Sequence, residues 1–137
     1  MTTSSTKELI FQRGFSTLWS LQLYKETDNR FGFSVVLGFS QVDCPATGST
    51  ITSGTWYYVF AKWTSATSLK IYINGVLNNT VNAGGSLRNN GTQGWYLANE
   101  SGDFDVCSIG DFEVYNRALS DAEITTNFNS KKALYGY

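Results

Sequence analysis

Two carboxylates, Asp111 and Glu113, are spaced for acid–base chemistry. On a strand, residues two apart point to one face. Glycoside hydrolysis needs a carboxyl pair about 5–9.5 Å apart, with one member kept protonated. The alternative is a solvated strand face, and on balance the sequence argues for it; no catalytic residue is expected. A second group lies in Asn99-Glu100-Ser101-Gly102-Asp103-Phe104-Asp105, which puts three carboxylates and an amide around a flexible glycine. Hard cations want clustered oxygen donors on a loop. Glu100, Asp103 and Asp105 are therefore the expected ligands if the chain holds calcium, the one cofactor the sequence suggests. Next to this loop, Trp95, Tyr96 and Asn99 combine aromatic rings with an amide, a grouping suited to the apolar faces and hydroxyls of a sugar. In a sandwich such aromatics more often serve as core or edge cover.

What is missing narrows the chemistry further. The chain has no histidine, which removes Ser-His-Asp and Cys-His nucleophilic catalysis and the commonest zinc ligand. Its ten cationic residues balance eleven acidic ones for a net charge of −1. They form no basic stripe for phosphates, so nucleic acid is not an expected partner. Cys44 and Cys107 allow one disulfide, or two buried thiols behaving as small apolar groups. The first seven residues lack the apolar core of a signal peptide, and no run approaches the roughly 20 apolar residues of a membrane span. Neither general export nor membrane insertion is expected.

The elements that must position these groups are strands. Charged residues make up only 15% of the 137-residue chain, while 4 Trp, 8 Tyr and 9 Phe suit pleated, half-buried surfaces. Period-two alternation in Trp19–Leu23, Phe31–Val35 and Leu69–Ile73 marks strands with one covered face. The last of these runs into Asn74-Gly75, a strong hairpin signal, with Val76-Leu77 starting the return strand. Trp56 to Trp63 is apolar on both faces up to Lys62, which predicts a central strand. Residues 78–94, rich in Asn and Gly, predict a loop with a short strand near Ser86-Leu87. Trp95–Ala98 and a long stretch from Phe104 to Tyr115 complete the strands, with Phe112 and Val114 on one face and Glu113 and Tyr115 on the other. One helix follows. Ser120-Asp121-Ala122-Glu123 is a capping box, flanked by Leu119 and Ile124 as a hydrophobic staple, and predicts a helix over about 120–129. The expected fold class is all-β, an antiparallel β-sandwich with one short C-terminal helix, forming a single domain over residues 1–137 with 1–7 as an arm.

Several runs carry a family resemblance, spanning roughly residues 16–128. Gly54-Thr55-Trp56-Tyr57-Tyr58-Val59 and Leu69-Lys70-Ile71-Tyr72-Ile73-Asn74-Gly75 resemble two strand motifs of laminin-G-like jelly rolls, the concanavalin A-like lectin superfamily. Ile109 to Ile124, through Tyr115-Asn116-Arg117-Ala118-Leu119-Ser120, is similar to that family's ending. In it the Asn-Arg pair is structural and holds the corner into the helix. The resemblance implies a laminin-G-like jelly roll. Related jelly rolls include glucanases, but position 109 is Ile where their E-x-D-x-E pattern has its first glutamate. Some relatives bind calcium on rim loops. Asn127-Phe128-Asn129 with Leu134-Tyr135-Gly136-Tyr137 resembles the ending of such domains in tailed-bacteriophage structural proteins. That implies a virion component, decorating a capsid or forming part of a fibre, which reaches the outside by host lysis. Its expected partners are other virion proteins or copies of itself. The alternative is a lectin-like adhesion module for cell-surface or exopolysaccharide glycans. The family has further strands before the position of Leu18, where this chain offers about fifteen residues. The sandwich is then either trimmed or completed by a neighbour across an uncovered edge.

Overall fold

The computed structural model describes residues 7–14, 19–48, 50–89, 91–97 and 108–136. Eight strands and one helix follow in order: β1 Glu8–Arg13, β2 Leu21–Lys25, β3 Phe31–Leu37, β4 Ser40–Pro45, β5 Val59–Thr64, β6 Ser68–Ile73, β7 Val76–Asn82, β8 Trp95–Leu97 and α1 Asp121–Tyr135. They form two antiparallel sheets, β4-β3-β2-β1-β8 and β5-β6-β7. The expected all-β sandwich with a terminal helix is the observed architecture. Among the described residues no helix is long and apolar enough to cross a membrane.

Alternation fixes which face each strand buries. Phe33, Val35 and Leu37 of β3, Cys44 of β4, and Leu69, Ile71 and Ile73 of β6 interdigitate between the sheets. The polar partners on β3 and β4 point outward, where the Ser34 hydroxyl bonds both Tyr24 and Asp43. At Asn74-Gly75 the backbone takes φ of 50° and 77°, the positive pair that the tight hairpin needs. A second, smaller core lies on the far side of β5-β6, where Leu119 and Ile124 pack on Tyr72, Tyr58 and Phe60. The molecule thus has three layers, with α1 lying outside the three-stranded sheet.

The helix begins as its capping box dictates. Ser120 Oγ accepts the Glu123 amide at 3.2 Å, and Glu123 Oε2 accepts the Ser120 amide at 2.7 Å. Arg117 clamps the same carboxylate through both guanidinium nitrogens, at 2.6 and 3.0 Å, the corner-holding role that the resemblance implied. Arg117, then Ser120, pull the Glu123 carboxyl down to about 2. The helix runs past the expected end near 129 to Tyr135 and stops on Gly136 in the left-handed conformation. The stripe Ile124, Phe128, Lys131, Tyr135 carries it onward, because each of these still has something to touch.

Three expectations need correction. Trp56–Trp63 read as a central strand, but β5 is an edge that pairs only with β6 among the described strands. Its two apolar faces pack partly against the inner core and against Leu119 and Ile124, so its apolar pattern reports layers above and below and not lateral neighbours. Residues 78–82, read as loop, continue β7, with Asn78 and Asn79 bonding across to Thr47 and Pro45. The short strand near Ser86-Leu87 is present as a single bridge from Leu87 to Leu37. The described part of the expected strand 104–115, residues 108–115, is extended but joins no ladder. Two strands went unread. β1 hides behind a bulge between Leu9 and Phe11 that breaks its period, and it places one strand in the roughly fifteen residues before Leu18. β4 does alternate, with Val42 and Cys44 turned in. Residues 1–6 and Cys107 lie outside the described residues. Cys44 is a buried free thiol that burial raises to about 11, so it behaves as an apolar group.

Candidate functional site

The two sheets meet tightly along one side and part along the other. On the closed side β4 and β7 are laced together by side-chain amides. Asn78 Oδ1 accepts the Thr47 amide at 2.6 Å, and Asn79 Nδ2 donates to Pro45 O at 2.7 Å. On the open side a cleft of about 1420 Å³ enters between β1-β2 and β5. Leu21, Leu23 and Phe31 form one wall; Val59, Ala61 and Trp63 form the other. All six are only half-buried, although their period-two placement aims them at the core.

The mouth of the cleft is aromatic. Trp95 of β8 stacks on Phe11 at 5.3 Å between ring centroids, 14° from parallel, and Arg13 lies over its ring. Phe112 packs on Phe11 at 4.7 Å, and Trp56 meets Tyr135 at 5.1 Å. These rings stay wet: Trp95 is 51% exposed, Phe112 44%, and their aliphatic neighbour Val114 53%.

Residues 108–116 run along this mouth, tied to the helix by side chains. Lys131 Nζ reaches Glu113 Oε1 at 2.7 Å and Asp111 Oδ2 at 2.9 Å. The Tyr115 hydroxyl donates to Glu113 Oε2 at 2.5 Å and accepts Asn127 Nδ2 at 3.0 Å. A Cβ on Gly110 would stand 2.6 Å from the Tyr135 ring, so the close approach of segment and helix needs glycine there. Lys131, then Tyr115, hold the Glu113 carboxyl below its ordinary value, and Glu113, then Asp111, push the Lys131 ammonium up. A glycosidase acid must be held the other way, protonated near neutrality. This carboxylate pair is built as an anchor for the segment.

Further in, Lys62 of β5 is almost wholly buried and donates to Asp121 Oδ1 at 2.6 Å and Leu119 O at 3.0 Å, while the Tyr72 hydroxyl reaches the same Asp121 oxygen at 2.7 Å. Burial works against the charge on Lys62, yet Asp121 and Tyr72 outweigh it and its pKa lies above the ordinary value. The trio fastens the helix start to the sheet.

Of the expected sugar-binding set, the described residues include Trp95 and Tyr96. Trp95 lines the cleft, whereas its neighbour Tyr96 points to the opposite face of β8, opposite Gln12, as successive strand residues must. Asn99, Glu100, Asp103 and Asp105 lie outside the described residues. Among the described residues no group of three or more His, Cys, Asp or Glu is placed to hold a metal. Sequence reasoning missed Phe11 as the hub of the aromatic mouth, because the bulge in β1 hid its strand. Placing Phe112 and Val114 on one face did anticipate the strip they form.

The resemblance read from the strand and helix motifs is matched by a comparison over nearly the whole chain. A family model, Laminin_G_3, described as the concanavalin A-like lectin/glucanases superfamily, matches residues 1–125. The chain belongs to this family. No curated protein matches it. Among solved structures, this laminin-G-like chain is similar to an S-layer domain-containing protein from Clostridium thermocellum, at 20% identity and a TM-score of 0.43. The overlay covers 93% of this chain and 65% of that one, so the present chain spans less than two thirds of its length.

Proposed function

We propose that this laminin-G-like chain is a non-catalytic structural module that works through protein–protein contacts at its open side. The observation that carries the reading is the composition of the exposed mouth, where Ile109, Val114 and Leu97 stand among Trp95, Phe112 and Trp56. Sugars stack on flat rings, but aliphatic side chains give them little; a mixed aliphatic and aromatic surface suits another protein. The expected setting is a bacteriophage virion, supported by the residues of the tail alone. A second reading, a lectin-like adhesion module, is favoured by Trp95, a half-exposed ring backed by Phe11 and edged by Arg13. Calcium at Glu100, Asp103 and Asp105 belongs to either reading as a candidate rim ligand.

Light scattering with and without calcium, beside a glycan array on the same intact chain, separates the two readings. Assembly without glycan retention is the expected result. A retained glycan lost in Trp95→Ala would transfer the function to adhesion. A chelator-sensitive mass would bring Asp103 and Asp105 into the assembly.

A further inference from the structure

The three layers are not joined alike. Within each sheet the strands are bonded by backbone ladders, whereas α1 is fastened to the three-stranded sheet by side chains. Ile124 is the helix residue that is fully buried, and the layer beneath it is aromatic, formed by Tyr58, Phe60 and Tyr72. The polar fastening sits at the helix start. There the Lys62 side chain is 8% exposed, and the Asp121 side chain that it meets is 60% exposed. Among the described residues Asp121 is the one carboxylate within ion-pair reach of Lys62. The other groups around the ammonium are neutral, Leu119 O and the Tyr72 ring. Lys70, beside Lys62 in the register of β5 and β6, adds a second positive charge that acts on Asp121. Arg117, the cation of the corner, is taken up by Glu123. Two cations of the sheet thus share one carboxylate, and that carboxylate belongs to the helix.

We infer that Asp121 is the latch of an acid-released cover: when its carboxylate takes up a proton, α1 lifts from the three-stranded sheet and bares Tyr58, Phe60 and Tyr72. Protons reach Asp121 straight from water, while Lys62 is shut in. Neutralising Asp121 therefore leaves a buried ammonium without its counter-charge, a costly state that lifting the helix start relieves by letting water in. A second tie weakens in the same direction. Lys131 is held to the 108–116 segment by Asp111 and Glu113, and Tyr115 donates to Glu113. Two neutral bonds add little, Thr125 to Gly75 O at 3.5 Å and Asn127 to the Tyr115 hydroxyl at 3.0 Å. Carboxylates elsewhere protonate too, Glu8 beside Lys25 and Asp28 beside Arg30, but they stand on a strand and a turn that backbone bonds hold. Lys62, then Tyr72, keep the Asp121 carboxyl below its ordinary value of 3.8. The latch is therefore complete above about pH 4 and fails as the pH falls below it. It works within one chain and holds whatever the open side binds.

The test follows amide-exchange protection in the intact chain from about pH 7 to about pH 2, each value referred to the unstructured rate at the same pH. Protection in Asp121–Tyr135 should fall by about tenfold or more on the way down, while Phe31–Leu37 and Ser68–Ile73 keep theirs. Asp121→Asn should loosen the helix already at about pH 7. Asp121 also stands in the first turn of α1, where a negative charge is favourable, so this variant alone does not separate a latch from a weakened helix end. Lys62→Met in the Asp121→Asn background does. With no buried ammonium left to strand, helix protection should rise by about threefold or more above that of Asp121→Asn. A helix that stays protected down to about pH 2, or a helix and sheets that lose protection in one step, overturns the inference. So does a double variant protected no better than Asp121→Asn.

Discussion

The two sides of this sandwich solve the same problem differently. Where β4 meets β7, the sheets close over Val35, Cys44, Leu69 and Ile71, and Asn78 and Asn79 satisfy backbone groups across the gap. Where β1 and β8 face β5, similar apolar side chains are aimed inward, yet the sheets part and rings gather at the lip. The difference lies in what connects the edges. On the closed side short amide side chains hold the edges within one hydrogen bond of each other. On the open side the described segment 108–116 is tied to Lys131 and Tyr135 on the helix and lines the opening. Closure depends on lateral connections as much as on hydrophobic content.

The comparison is sharpest in the core. Ile71→Ala, at a fully buried site on the closed side, should cost about 2–5 kcal/mol in denaturant unfolding. Leu23→Ala, on the wall of the open cleft, should cost less, because part of its surface already meets water. Equal losses would mean that the cleft is shut in solution. Lys62→Met should follow at about 1–3 kcal/mol, since it strips a buried donor from Leu119 O and from Asp121, and thermal melts should show the helix loosening first. Asn79→Ala removes one bond of the lacing, with an expected loss of about 1 kcal/mol, and its amide-exchange effect should stay within β4 and β7.

Acid probes the corner by the helix. The Glu123 carboxyl sits at about 2 in the folded chain against an ordinary value of 4.5. A depressed folded pKa stabilises fully above the unfolded value and fades as pH falls toward the folded one. The support from Arg117 and Ser120 is therefore complete above about pH 4.5 and lost on the way to about pH 2. Glu123→Gln should flatten that part of the stability profile and leave the slope above pH 5 unchanged.

Much of the architecture could be read from local signals, because those signals are local in physics. Asn74-Gly75 and the Ser120–Glu123 box each act within four residues, and both appear where expected. The alternation of β2, β3 and β6 reports a face and a core and was read correctly. What escaped depends on distant partners. The lateral position of β5 depends on which strands bond it. The extent of α1 past residue 129 depends on Trp56 and on the 108–116 segment, which give Tyr135 and Lys131 their contacts. The candidate site shows the same limit. Trp95 and Tyr96 were grouped by their neighbourhood in sequence, and strand geometry turns them to opposite faces of β8. Phe11, the stacking partner of Trp95, comes from a strand whose bulge erased its pattern.

Gly75 carries a consequence for the order of events in folding. It turns the β6–β7 hairpin, and a Cβ there would stand 2.6 Å from Phe128 on the helix. The bare backbone of the turn is thus the floor on which the helix later rests. The hairpin joins neighbours in sequence and needs little loop closure, whereas the Phe128 contact must wait for about fifty residues to be brought round. A side chain at residue 75 would be felt twice, first as strain in an early turn and then as an obstacle to a late docking step.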